Sequence, residues 1–282
     1  MQFRKLTQSI ERKGLGLHSG REFRLSIDPS SEALSLEAGG ICLPLSKLTL
    51  EGAGRGSDLI FPDGKRVRTC EHVLSALAGL GVWRGKLSVT GEFPLEMPAL
   101  DGCSRDLAVE IMEKSIPIEP VTAESESGEI LPFALKYPLH VGDEKRFVIA
   151  LPSDSFRVTY AIEYESEYIR TQIFDYSCHM DYLKEIAQAR TFALRSEVEA
   201  LRAAGLALGG SLDNAILVDG DGVKTTGGLR FSNEFVRHKI LDLLGDLACL
   251  GRPLLAHVVA VRAGHALHLQ LVERLRAASR SD

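Results

Sequence analysis

The stretch VRHKILDLLGDLACL, Val236 to Leu250, reads as the core of an amphipathic helix predicted to run from about Glu234 to Leu250. At 3.6 residues per turn a step of four residues rotates by only about 40°, so such residues share a face. Val236, Ile240, Leu243, Leu244 and Leu247 gather into an apolar stripe that a core would bury. His238, Asp242 and Asp246 stand four apart on another face, flanked by Lys239. An imidazole and a carboxylate one turn apart can grip a single metal ion. The pair HxxxD alone describes a solvated polar face equally well.

Downstream of this helix, Leu255 to Val261 is an apolar run of the buried-strand type, and a terminal helix is predicted from about Ala266. Upstream, Phe147–Leu151 and Arg157–Ile162 read as strands, Tyr182–Ala189 and Ser196–Ala204 as helices. Ala215–Val218 is a short strand before the turn Asp219-Gly220-Asp221-Gly222. The first half has the same mixture. Phe23–Ile27 alternates as a strand, Asp63-Gly64 marks a turn, and a helix from about Cys70 to Leu80 takes Thr69 as its expected N-cap. Lys86–Thr90 then reads as a strand and Ser104–Met112 as a helix. Residues 115 to 129 (SIPIEPVTAESESGE) have little apolar periodicity and are expected to be a linker, dividing the chain near residue 122 into units 1–121 and 122–282. Each half runs strands, helix, strand, helix, an α+β pattern. Glu71-His72-Val73-Leu74 loosely echoes Arg237-His238-Lys239-Ile240, as a duplication would.

The chain has 282 residues, 45% hydrophobic and 25% charged, enough to bury a full core in one large or two ordinary domains. Its net charge of −5 argues against a general affinity for nucleic acid. No run approaches the roughly 18 apolar residues that span a bilayer. The opening MQFRKLTQSIERKG is charged throughout, unlike a secretory signal. Cys42, Cys70, Cys103, Cys178 and Cys249 are odd in number and form no CxxC, so a disulfide framework is not expected and a cytoplasmic location is.

Further chemistry lies off the central helix. Glu71-His72 opens the earlier helix, where His72 can serve as a third metal ligand and Glu71 as a general base. Three protein ligands leave one position of a zinc ion open, where the pKa of water falls to roughly 7. His₂Asp suits zinc, and iron(II) binds similar sets. An ordinary polar helix start is the plain alternative. In Ala263-Gly264-His265-Ala266-Leu267, His265 falls at a strand-to-helix turn, where an imidazolium can stabilise an oxyanion or protonate a departing amine, oriented by Asp246. A capping or surface histidine fits the same residues. GLGLHSG, Gly14 to Gly20, lacks both a Walker ending and GxGxxG spacing and reads as a hairpin turn. Gly209-Gly210-Ser211 is another turn. Cys70 beside His72 shows nothing that would activate a thiolate. His140, His179, His257 and His268 have no motif partners and default to structural or surface roles, and Leu194, Val198 and Leu201, read alone, to a core.

Taken together these residues resemble one family, the UDP-3-O-acyl-N-acetylglucosamine deacetylases (LpxC). The stretches that carry the resemblance are GLGLHSG (Gly14–Gly20), TCEHVLSALAGLG (Thr69–Gly81), EMPALDGCS (Glu96–Ser104), ARTFAL (Ala189–Leu194), GLALGGSLDNAI (Gly205–Ile216), LRFSNEFVRHKILDLLGDL (Leu229–Leu247) and AGHAL (Ala263–Leu267). They occur in the family's order over nearly the whole chain, and residues 30 to 68 match poorly.

The resemblance implies an α+β fold of two similar domains in a two-layer sandwich, with the active site between them and a small βαβ element inserted at about 192–223. It implies His72, His238 and Asp242 as zinc ligands, Glu71 as general base, and His265 supported by Asp246 as general acid or oxyanion stabiliser. Thr191 matches a residue that assists the tetrahedral intermediate, and Phe192 and Lys239 match contacts near the sugar and phosphate. Leu194, Val198, Leu201, Ala207 and Leu212 then wall a passage for the acyl chain. The implied activity is hydrolysis of the 2-acetamido group of an acylated UDP-GlcNAc by a monomer holding Zn²⁺, with Fe²⁺ as the alternative metal. The rival readings are a zinc hydrolase acting on another amidated nucleotide sugar and a non-catalytic nucleotide-sugar binder. Glu71 and His265 argue against the second, since binding needs neither.

Overall fold

The computed structural model describes residues 2–52, 56–119 and 130–280. These residues form a mixed α/β structure with several sheets and six α-helices: α1 (Glu71–Gly79), α2 (Arg105–Glu113), α3 (Tyr182–Glu185), α4 (Arg195–Ala203), α5 (Glu234–Ala248) and α6 (His265–Ser279). A five-stranded sheet has the order Ile10–Leu15, Glu22–Ala33, Arg84–Thr90, Ser35–Ala38, Ile41–Pro44. Alternation buries Phe23, Leu25 and Ile27 on one strand and Leu87 and Val89 on the next, as period-2 patterning requires.

A second large sheet runs Leu139–Gly142, Phe147–Pro152, Leu254–Val261, Arg157–Glu163, Thr171–Ser177, and Phe133–Ala134 also pairs with Leu254–Val261. The expected buried strand is thus the inner one, parallel to Arg157–Glu163 and antiparallel to Phe147–Pro152. Helix α5 covers Arg157–Glu163 and Thr171–Ser177, while α6 covers the two strands on the other flank. Helix α1 packs along α5, and the buried apolar residues from Phe3 to Leu275 form one connected core. The stripe Val236, Ile240, Leu243, Leu244 and Leu247 lies in that core as expected. The polar residues His238, Asp242 and Asp246 are buried as well, so this helix has no solvated polar face there.

Two smaller sheets position chemistry. Leu95–Glu96, Arg66–Arg68, Ser57–Ile60 and Thr49–Gly52 form a four-stranded sheet. Phe192–Leu194, α4 and Ile216–Asp219 make a parallel βαβ unit, extended by the antiparallel strand Gly222–Lys224 across the predicted Asp219–Gly222 turn.

Three local expectations need correction. Thr69 does not cap α1: it has a left-handed φ of 55°, and its hydroxyl donates to Glu96 instead, 3.3 Å away. The helix predicted over Tyr182–Ala189 stops at Glu185, because the chain turns there to bring Ala187 O onto the Ser104 N–H and Ala189 O onto His238. Ser115–Ile118, taken as the start of a linker, is a strand antiparallel to Phe3–Leu6. The expected division near residue 122 lies outside the described residues. No disulfide links any of the five cysteines, and no helix of the described residues is long and apolar enough to cross a membrane.

Candidate metal centre and active site

Glu71 and His72 reach α5 because α5 carries a glycine where α1 begins. A Cβ on Gly245 would lie 1.9 Å from the Glu71 carbonyl oxygen, so only glycine admits the approach. This contact places His72 against the face of α5 that carries His238 and Asp242. The His72 and His238 rings meet edge to face with centroids 5.1 Å apart. Their Nε2 atoms lie 3.7 Å and 3.2 Å from Asp242 Oδ1.

The donor chemistry of this trio fits a cation. His238 Nδ1 lies 3.0 Å from the Ala189 carbonyl, which can only accept, so Nδ1 carries the proton and Nε2 presents a lone pair. That lone pair faces Asp242 Oδ1, a buried oxygen with no hydrogen-bond partner. Two acceptors facing each other in a dry site repel unless a cation lies between them. Burial drives His72 down to about 3 and also lowers His238, so both imidazoles are neutral. Burial opposes the charge on Asp242, yet the basic groups packed around it, the charged Lys239 and His265 among them, hold its pKa well below the usual range. The trio Asp246, His265 and His268 is equally compact but is satisfied internally by hydrogen bonds.

Beside this trio stand two groups suited to proton handling. Burial pushes the Glu71 carboxyl up to about 7, against the opposing pull of His265. Its Oε2 accepts the Ser57 N–H at 3.1 Å, and its Oε1 is 3.9 Å from His265 Nε2. For His265, burial works against the charge, but Asp246, Glu71 and Asp242 overcome it and raise the imidazole to about 9. Asp246 Oδ2 accepts from His265 Nδ1 at 2.9 Å and from His268 Nδ1 at 2.8 Å. Ser57 Oγ donates to the other oxygen of Asp246 and lies 3.1 Å from His265 Nδ1. Tyr160 OH sits 2.9 Å from His268 Nε2 and closes the chain.

Glu71, His72, His238, Asp242 and His265 form the floor of a cavity of about 440 Å³. Thr191, Phe192, Val198, Leu201, Ala207, Leu212, Lys239, His72, His238, Asp242, Glu71 and His265 all line it. Asp246 lies behind His265, fully buried. Leu194 is not in the lining: it packs half-buried on the core, with its N–H bonded to Glu197 at the start of α4. No residue of α4 is buried, so Val198 and Leu201, which read alone default to a core, face the cavity. Phe192 packs between the rings of Tyr164, Phe235 and His238. Lys239 Nζ is 2.5 Å from Asp242 Oδ2 and 5.9 Å from the centre of the Phe192 ring. Cys70 is buried and its thiol is raised well above the ordinary value, chiefly by burial, which removes it as a nucleophile.

Ser57, His268 and Glu96 escaped the reading of the sequence. Ser57 sits in the stretch that matches the family poorly. His268 had a usable signal, since it stands three residues after His265 on one helix and so shares its face. Glu96 fills the GLGLHSG hairpin from within: it accepts the N–H groups of His18 (2.7 Å) and Ser19 (2.9 Å) and the Ser19 hydroxyl (2.6 Å).

A family model described as UDP-3-O-acyl N-acetylglycosamine deacetylase (LpxC) matches residues 4–277. Three relatives carry the name UDP-3-O-acyl-N-acetylglucosamine deacetylase. That of Trichormus variabilis is 36% identical over 97% of this chain and 98% of its own length. That of Acidithiobacillus ferrooxidans is 36% identical over 96% and 89%, and that of Leptospira biflexa 34% over 95% and 87%. With a match spanning almost the entire sequence, this chain belongs to the UDP-3-O-acyl N-acetylglycosamine deacetylase family.

Proposed function

We propose that the protein hydrolyses the 2-acetamido group of a UDP-3-O-acyl-N-acetylglucosamine, releasing acetate and a free amine, an early committed step of lipid A biosynthesis. The observation that carries this reading is the floor of the cavity, where a His₂Asp ligand set, a buried carboxyl and a charged imidazole converge beneath apolar walls. His72, His238 and Asp242 would hold the metal. A divalent cation on that set, zinc with iron(II) as the alternative, polarises the acetamido carbonyl and acidifies water.

The chain's own residues divide the remaining work. The carboxylate of Glu71, poised near neutrality, takes a proton from the water that adds to the carbonyl carbon. His265 enters as imidazolium, and its Nε2–H stabilises the negative charge that develops on the carbonyl oxygen, assisted by Thr191. Asp246 keeps that imidazole charged and oriented. As the C–N bond breaks, a proton passes to the departing amine from Glu71 or His265, leaving acetate. Phe192 and Lys239 hold the sugar and phosphate end.

Val198, Leu201, Ala207 and Leu212 take the acyl chain. Each buried methylene contributes about 0.8 kcal/mol, so several in contact separate acylated from non-acylated substrate by orders of magnitude. We read the chain as a cytoplasmic monomer of two α+β domains flanking this cavity, a location that cysteines without a disulfide suit. The test compares kcat/KM for UDP-GlcNAc with and without its 3-O-acyl chain, in the wild type and in Leu201→Asp. The wild type should strongly prefer the acylated form, and the folded variant should narrow the gap while keeping its metal. No preference in the wild type would shift the reading to a hydrolase of another amidated sugar. Tight binding without turnover would shift it to a binding protein.

A further inference from the structure

The GLGLHSG hairpin has no part in the proton chemistry, yet it is built to close tolerances. Glu96 is buried inside it and accepts four hydrogen bonds, three from the hairpin and one from Thr69. A Cβ on Gly16 would meet Glu96 Oε2 at 2.3 Å and Ser19 Oγ at 2.7 Å, so any side chain there would push the carboxylate off its donors. The outer edge of the hairpin hydrogen-bonds to a turn nearly two hundred residues away: Leu208 N–H donates to His18 O and Gly209 N–H to Leu17 O, each at 3.1 Å. A Cβ on Gly209 would lie 2.2 Å from Gly16 O, so the two backbones touch. Leu17 and His18 on one side of this contact, and Ala207 and Gly210 on the other, all face the cavity.

We propose that the hairpin Gly16–Gly20, seated on Glu96, clasps the Ala207–Gly210 turn and so fixes the wall that recognises the acyl chain of the substrate. The proposal rests on the reading of this cavity as an acyl passage. Glu96 and Gly209 are then specificity-determining residues that act through backbone placement, remote from the metal ligands. An isolated surface turn needs neither a buried carboxylate nor a glycine at each point of approach. A wall assembled from two distant segments needs both, because its width depends on how closely they meet.

The experiment measures kcat and KM for acylated and non-acylated UDP-GlcNAc, with metal content, in wild type, Gly209→Ala, Glu96→Gln and Ser19→Ala. Gly209→Ala drives the two backbones apart. Glu96→Gln keeps an acceptor for His18 and Thr69 but turns an amide N–H toward Ser19. Ser19→Ala removes one hydroxyl, which donates to Glu96 and accepts the Arg21 N–H, and leaves the backbone N–H bonds to Glu96, so it reports even where the harsher variants do not fold. Gly209→Ala and Glu96→Gln should lose at least about tenfold in kcat/KM for the acylated substrate, through KM, with the non-acylated value and the metal unchanged. Ser19→Ala should move the same way by less. An equal loss on both substrates, or no change on either, overturns the clasp. A wild type with no acyl preference condemns the passage itself, whereas a preference that every folded variant retains condemns only the clasp.

Discussion

Replacing Gly245 by alanine tests how α1 and α5 build the active site. The new Cβ would sit 1.9 Å from Glu71 O, 2.6 Å from its carbonyl carbon and 2.7 Å from its Cα. All three are backbone atoms, so no side-chain rotation relieves the overlap. Against a contact optimum of about 3.5 Å, the first turn of α1 must retreat by more than about 1 Å. Overpacking of this kind costs about 1–3 kcal/mol, which for a chain of this size lowers Tm by roughly 2–10 °C. The functional loss should be larger than the loss of stability suggests. The same movement carries Glu71 and His72 away from His238 and Asp242, and a displacement of about 1 Å can cost on the order of 10²-fold in kcat. Thermal unfolding, kcat and metal content are measured on one preparation, at a temperature where the variant is folded. A Gly245→Ala protein with wild-type Tm, metal and kcat would refute the close approach of the two helices as the basis of the site.

His238→Ala should lose most of its bound metal and most activity together, and full occupancy measured by elemental analysis would remove His238 from the ligand set. The pH profile of kcat/KM should be bell-shaped. Activity rises as Glu71, raised to about 7 by burial, gives up its proton, and a cation bound beside it moves that limb to lower pH. It falls as His265, held up to about 9, loses its charge. Both limbs are macroscopic values of a coupled site. Glu71→Ala should keep its metal and lose on the order of 10²-fold or more in kcat, and an unchanged acidic limb would deny it the role of base. Arg190 donates to the fully buried Glu234 at 2.9 Å. Arg190→Met leaves that buried carboxylate without a counter-charge, held only by the backbone N–H groups of residues 190 and 230, and should cost about 3–5 kcal/mol in denaturant unfolding, and a loss below about 1 kcal/mol would refute the need for the guanidinium.

The helix 234–248 was legible because its apolar stripe and its HxxxDxxxD face share one period, and both survive in the structure. The pairing of His72 with that face was not legible from spacing. It depends on Gly245, a mid-helix glycine whose meaning appears only when Glu71 is seen against it. Ser57 was hidden for a similar reason: it lies far in sequence from Asp246 and His265, on a short strand with no pattern of its own. Thr69 misled because a threonine before a helix reads as a cap, while here Cys70 takes the cap position and Thr69, left-handed one residue earlier, donates its hydroxyl to Glu96. Val198 and Leu201, which line the cavity, keep helical spacing whether they face a core or a cavity. Periodicity cannot tell the two apart.

Metal-dependent deacetylation is tested most directly by acetate released from UDP-3-O-acyl-GlcNAc by metal-loaded protein, followed before and after chelation and after return of zinc. The predicted result is one acetate per free amine formed, lost on chelation and restored by zinc. Wild-type rates of acetate release from protein shown by elemental analysis to hold no metal would contradict it.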